Sequence, residues 1–224
     1  METAIGWLAP SDCLGCGAEG SAVCIECAVS LIKPFGERCW RCDKLSPLSK
    51  TCQTCRAIGP LSHVFISTDY ESLAQKLVQK YKFGHLRDAA RPLAGIMVRT
   101  LTLSGIDWQD YLVVPIPTAT SRVRQRGFAH SELLARTISA KLRVEYSPAL
   151  RRLGQTRQLG AKREDRLAQL SGSFAVRSQG RISGRKILLI DDVLTTGGTI
   201  IAASKALKAA SAKQVNALVF AKKL

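Results

Sequence analysis

Eight cysteines constrain this chain more than any other feature. They form four C-x-x-C pairs, Cys13/Cys16, Cys24/Cys27, Cys39/Cys42 and Cys52/Cys55, all before residue 56. A two-residue spacing lets both thiolates of a tight turn face one tetrahedral ion, and two such turns close a four-thiolate zinc site. Eight ligands suffice for two zinc ions. Adjacent pairing gives one site to Cys13, Cys16, Cys24 and Cys27 and the other to Cys39, Cys42, Cys52 and Cys55; the spacing also admits an interleaved arrangement, first pair with third. A disulfide framework needs an oxidising compartment, a redox motif is one C-x-x-C on a βαβ unit, and iron–sulfur clusters use other spacings. Closed, all-thiolate coordination leaves no position for water, so the expected role is structural. About 55 residues build little core alone, and zinc then supplies folding energy.

The chain has 224 residues, which suits an accessory module over residues 1–60 followed by one ordinary domain over 61–224. No apolar run approaches the roughly 18–20 residues that span a bilayer, so no membrane span is expected. Met1 to Pro10 has no Lys or Arg ahead of its short apolar stretch. That lacks the charge pattern of a secretory signal, and a cytoplasmic location is the expectation. Charge is uneven. Residues 1–60 hold 6 Lys and Arg against 6 Asp and Glu, whereas the remainder holds 27 against 11 and carries the whole net charge of +16. Between Arg122 and Lys186 there are 16 basic and 4 acidic side chains. Such a field predicts an anionic partner: nucleotide phosphates, nucleic acid or acidic lipid.

From His63 onward, strand and helix patterns alternate. Strands are expected at His63–Thr68, Tyr111–Ile116, Ala149–Leu153, Ser173–Val176, Ile187–Ile190 and Val215–Phe220. Helical spacing marks Leu73–Phe83, Pro92–Leu103, Ser131–Leu142 and Thr199–Ala210. Gly154 to Leu170 reads as a long basic loop, a kind that is usually functional inside a compact domain. The alternation implies an α/β domain with a mostly parallel sheet and helices on both faces.

The most informative stretch runs I-L-L-I-D-D-V-L-T-T-G-G-T from Ile187 to Thr199. A buried strand ends in Asp191 and Asp192, where open α/β sheets bind ligands. Val193 and Leu194 lead into Thr195, Thr196, Gly197, Gly198 and Thr199, which feed a helix. Glycines admit an anion close to the backbone, and successive N–H groups, threonine hydroxyls and the helix N-terminus favour phosphate. Carboxylates repel phosphate but accept hydrogen bonds from vicinal hydroxyls. A sugar phosphate satisfies both: the loop holds a 5-phosphate and the aspartates face ribose hydroxyls. Neither the Walker nor the Rossmann pattern is present.

Residues 187–199 resemble the phosphoribosyl-pyrophosphate (PRPP) motif of type I phosphoribosyltransferases. The chain as a whole resembles the ComF family, which joins a double zinc ribbon to a phosphoribosyltransferase-like domain and is associated with DNA uptake in competence. The C-x-x-C pairs match its first part. Tyr70, Lys82 and Phe83 resemble its tyrosine and Lys-aromatic stretch, and Val114-Pro115-Ile116-Pro117 its V-P-V-P strand end. Arg122, Arg124, Arg126, Gly127 and Phe128 match its R-x-R-x-R-G-F run, and Gln158, Arg166 and Phe174 its basic-loop pattern. Ala129 and His130 stand where the family usually has Asn-Gln, and Ala161 and Gln169 where it has Leu and Asn. The resemblance implies PRPP with Mg²⁺, Pro117 and Thr118 in a pyrophosphate loop, and charge from Arg122, Arg124, Arg126 and Lys82. It also implies single-stranded DNA and competence proteins as partners. A salvage or biosynthetic transferase and a non-catalytic, zinc-stapled nucleic-acid-binding module are the alternatives.

Overall fold

A computed structural model describes residues 12–32, 38–83, 86–153 and 173–223. The basic segment with Gln158, Ala161, Arg166 and Gln169 lies outside the described residues. In chain order the main elements are α1 (Ile25–Leu31), α2 (Gln53–Arg56), β1 (Leu61–Asp69), α3 (Ser72–Phe83), α4 (Ala90–Thr102), β2 (Tyr111–Pro115), α5 (Thr120–Arg126) and α6 (His130–Leu142). They continue with β3 (Leu150–Arg152), β4 (Phe174–Val176), β5 (Lys186–Leu194), α7 (Gly198–Ala209) and β6 (Gln214–Lys222). Four strands form a parallel sheet in the order β1–β6–β5–β2, and β3 pairs antiparallel with β4.

The parallel strands read as near-continuous apolar runs because both of their faces are covered. Phe65, Val113, Leu188, Ile190, Leu218 and Phe220 enter one core with residues of α3, α4 and α6. Their neighbours Val64, Leu112, Val114, Leu189, Ala217 and Val219 enter a second core with α7. Along α3 the buried positions Ala74, Leu77, Val78 and Tyr81 repeat at helical spacing. In α4 Pro92 sits in the first turn, where its missing N–H is tolerated.

Two differences from expectation bear on the site. The strand expected to stop at Ile190 continues to Leu194, because β6 runs beside it and pairs Asp191 with Val219, Val193 with Ala221 and Leu194 with Lys222. Both aspartates are therefore strand residues. The second is α5, whose sequence T-S-R-V-R-Q-R has one apolar residue and no apolar period. Gly127 ends it at φ 78°, its N–H donating to the Val123 carbonyl at 2.8 Å.

The cysteine segment contributes to both cores. Ala22, Val23 and Leu31 pack with α4 on the first face. Cys39, Trp40 and Cys55 pack on the second. The Thr51 N–H donates to the Ser62 carbonyl at 2.9 Å, and Lys50 bridges His63, tying the segment to β1.

Candidate functional site: a cleft at the carboxyl end of the sheet

Because strand side chains alternate, Asp191 and Asp192 leave β5 toward opposite faces. Asp192 turns to the face of α3, where Lys82 Nζ donates to its Oδ1 at 2.7 Å. Asp191 turns to the other face and accepts the Asp192 N–H at 2.9 Å. Burial first, and the Asp192 charge second, push Asp191 up to about 7. Leu194 packs its side chain into the second core.

The two aspartates open on a cleft of about 370 Å³ at the carboxyl ends of β2 and β5. Lys82, Pro117, Thr118, Arg122, Val193, Thr195 and Thr199 also line it. These sequence-selected residues come from separate stretches of the chain and meet in one cavity. Thr196 and Arg124 are exposed and outside its lining. Gly197 and Gly198 are buried and form the turn into α7. Arg126 closes α5.

Gly197 is the N-cap of α7 at φ 79°, a left-handed conformation that favours glycine, and no side chain caps the helix there. The first N–H groups of α7 are thus available to an anion between Thr195 and Thr199. The facing loop after β2 is held firmly. Ser131 Oγ donates to the Ile116 carbonyl, and Thr118 Oγ1 lies 3.2 Å from Ser131 Oγ. Tyr81 OH donates to the His130 carbonyl at 2.7 Å, and a His130 ring nitrogen lies 3.3 Å from the Lys82 carbonyl. His130 is thus a buried brace between α3 and α6.

Sequence reading did not single out Arg152. It lines the cleft from the end of β3, stacked over Phe174 at 5.5 Å. Burial, and then the charge of Arg122, push it down from the usual guanidinium range. Two guanidinium groups close enough to repel make a site that an anionic ligand relieves. The local signal was faint, because Arg152 stands in a run where basic residues are the rule.

The cysteines group as adjacent pairs: Cys13, Cys16, Cys24 and Cys27 in one cluster and Cys39, Cys42, Cys52 and Cys55 in the other, the sulfurs of each lying within 4.8 Å of one another. Cys16 and Cys24 sulfurs are 3.7 Å apart, and Cys42 and Cys52 sulfurs 3.5 Å. A tetrahedron of Zn–S bonds of about 2.3 Å demands roughly 3.8 Å. Backbone N–H donors from Cys24 and Cys16 bring Cys13 down to about 6, favouring its thiolate. Against burial, which pushes it up, N–H donors from Cys42 and Cys52 hold Cys39 at about 6. Donor set, spacing and thiolate stabilisation fit two zinc ions that would cross-link these turns.

Comparison with known proteins agrees with this geometry. Residues 86–224 match the family model for a phosphoribosyl transferase domain. The chain is 30% identical over 201 residues to Competence protein ComFC of Streptococcus pneumoniae, covering 88% of this chain and 86% of that one. It is 26% identical over 212 residues to Competence protein F of Haemophilus influenzae, covering 91% and 86%. Identity to the DNA utilization protein YhgH of Escherichia coli K12 is 26% over 148 residues, or 63% of each chain. Among the described residues no helix is long and apolar enough to cross a membrane. With its two four-cysteine clusters ahead of a type I phosphoribosyltransferase-like sheet, the chain belongs to the ComF family.

Proposed function

We propose that the cleft binds PRPP and that the protein catalyses displacement of its pyrophosphate while handling single-stranded DNA in competence. The observation that carries this reading is the convergence in one cavity of paired carboxylates, a Thr/Gly helix-start loop and facing guanidinium groups.

Thr195, Thr199 and the first N–H groups of α7 take the 5-phosphate. Asp191 and Asp192 accept hydrogen bonds from ribose hydroxyls, and Asp191 loses its proton as they do. Lys82, Arg122 and Arg152 face the pyrophosphate. Asp192 and Lys82 neutralise each other in the ligand-free cleft, and the ligand offers each a replacement partner. In transfer, a nucleophile's lone pair forms a bond to C1 while the C1–O bond breaks and its electron pair leaves with pyrophosphate. The cationic side chains stabilise the charge that grows on the leaving group, and the loops fix the ring for in-line attack. Mg²⁺ would be held mainly by the ligand's own oxygens and water and would neutralise the diphosphate.

Arg122, Arg124, Arg143, Arg151, Arg177 and Arg181 are exposed in the basic half. They support steeply salt-dependent, sequence-independent contact with DNA phosphates. No Phe, Tyr or Trp lines the cleft among the described residues, which weighs against a salvage transferase that stacks a free base.

Calorimetry of the zinc-loaded protein with PRPP and Mg²⁺ tests the reading. Saturable binding is expected, reduced at least about a hundredfold in a variant carrying Asp191→Asn and Asp192→Asn, since a wrongly held ring loses several hydrogen bonds at once. No binding to the folded wild type, or equal binding by the variant, contradicts it.

A further inference from the structure

The second cysteine cluster reaches the phosphate loop through one side chain. Trp40, between Cys39 and Arg41, is only 4% exposed. A Cβ placed on Gly197 would lie 2.3 Å from its Cζ3 and 2.6 Å from its Cη2. The indole ring therefore rests directly on the left-handed turn that starts α7. Trp40 does not line the cleft, whereas Thr195 and Thr199 on either side of Gly197 do. The ring covers the loop on the side away from the cleft. It is itself held: Nε1 donates to Thr51 Oγ1 at 3.1 Å, and the Thr51 N–H binds β1. The turn beneath it is closed by the Cys39 N–H to the Lys44 carbonyl at 2.8 Å and the Asp43 N–H to the Cys39 carbonyl at 3.0 Å. A second contact supports the same join, since a Cβ on Gly59 would lie 3.1 Å from the Ile201 side chain of α7.

We propose that Trp40 is a positioning residue for the phosphate loop, and that the ion held by Cys39, Cys42, Cys52 and Cys55, through Trp40, sets affinity in the cleft. The inference rests on the PRPP reading for its ligand but not for its contact. Gly197 has no side chain to fix its own turn, and aligned N–H groups bind an anion only while their geometry is kept. The indole supplies the fixed surface that glycine lacks. Loss of the metal frees the Cys39–Cys42 turn, withdraws the ring and lets the loop amides diverge. The first cluster makes its close approach elsewhere, to Leu73, at the far end of α3 from Lys82.

The test compares Trp40→Ala, Trp40→Phe, Cys42→Ser and Cys24→Ser with the full-length wild type. Zinc content, PRPP affinity in Mg²⁺ and amide hydrogen exchange of peptides spanning residues 195–200 are read for each. Trp40→Ala is expected to keep both zinc ions, exchange faster in that loop and bind PRPP at least about tenfold more weakly. Trp40→Phe restores most of the affinity and protection. Cys42→Ser loses the second zinc ion and matches Trp40→Ala in loop exchange and affinity, whereas Cys24→Ser leaves loop exchange at the wild-type level. Unchanged exchange and affinity in Trp40→Ala overturn the proposal, as does a loop response to Cys24→Ser equal to that of Cys42→Ser. Faster loop exchange in Trp40→Ala, in a wild type that binds no PRPP, upholds the buttress and refutes the ligand assignment instead.

Discussion

The two cysteine clusters share ligands and spacing, yet they face different tasks. The first lies on the face of α3 and α4 and adds Ala22, Val23 and Leu31 to that core. The second lies on the face of α7, with Cys39, Cys55 and Trp40 inside the other core and the indole against the turn at Gly197. Their surroundings also differ in charge. Asp12, Glu19 and Glu26 accompany the first, with no Lys or Arg from 12 to 32; Arg38, Arg41, Lys44, Lys50 and Arg56 accompany the second, against Asp43. The neutrality of the first 60 residues is thus an acidic half beside a basic one. On the proposed reading, the same donor set serves as a fold staple in one place and as part of a binding site in the other. What a cluster touches decides which.

Glycine substitutions sharpen this contrast most. Gly197→Ala places a methyl group inside the Trp40 ring and forces a side chain into a left-handed turn, and about 2–5 kcal/mol of stability is expected to go. PRPP affinity falls with it. Combined with Trp40→Ala, the loss should be clearly less than additive, because one partner of the clash is gone; strict additivity in denaturant melts would deny the contact. Gly15→Ala is the counterpart in the first cluster. Its Cβ would meet Cys27 Sγ at 2.7 Å and Leu73 Cδ2 at 2.9 Å, with no unfavourable φ. A cost of about 1–3 kcal/mol is expected, with PRPP affinity of the folded protein unchanged.

The smallest effect concerns the aspartates, which divide between the same two faces. Asp191 is held near 7, so the folded state binds its proton more tightly than the unfolded chain. Its stabilising contribution is complete below the ordinary carboxylate range and is lost as pH rises through about 7. Asp191→Asn should therefore melt about 2–4 °C higher than wild type at pH 8, with the gap narrowing toward about pH 4.5. A gap that does not change with pH contradicts the assignment.

Much of this organisation was legible in the sequence because it is local. Apolar runs placed the four sheet strands, and the spacing of Leu77, Val78 and Tyr81 placed α3. The D-D-V-L-T-T-G-G-T run placed the loop at a strand-to-helix junction. What sequence could not give is what depends on distant partners. Asp191 to Leu194 extend β5 only because β6 lies alongside. Spacing alone left the cysteine pairing open, and the separation of the pairs onto opposite faces of the sheet resolves it. Arg152 looked like one basic residue among many until β3 carried it to Arg122. Trp40 gave no sign of its role, since its contact spans most of the chain.

The most direct test of the account is a crystal structure of the zinc-loaded protein with PRPP and Mg²⁺. The account predicts the 5-phosphate against Thr195, Thr199 and the first N–H groups of α7, with ribose hydroxyls on Asp191 and Asp192 and Trp40 still seated on Gly197. A ligand bound elsewhere, or an empty cleft at a concentration that saturates binding in solution, would contradict it.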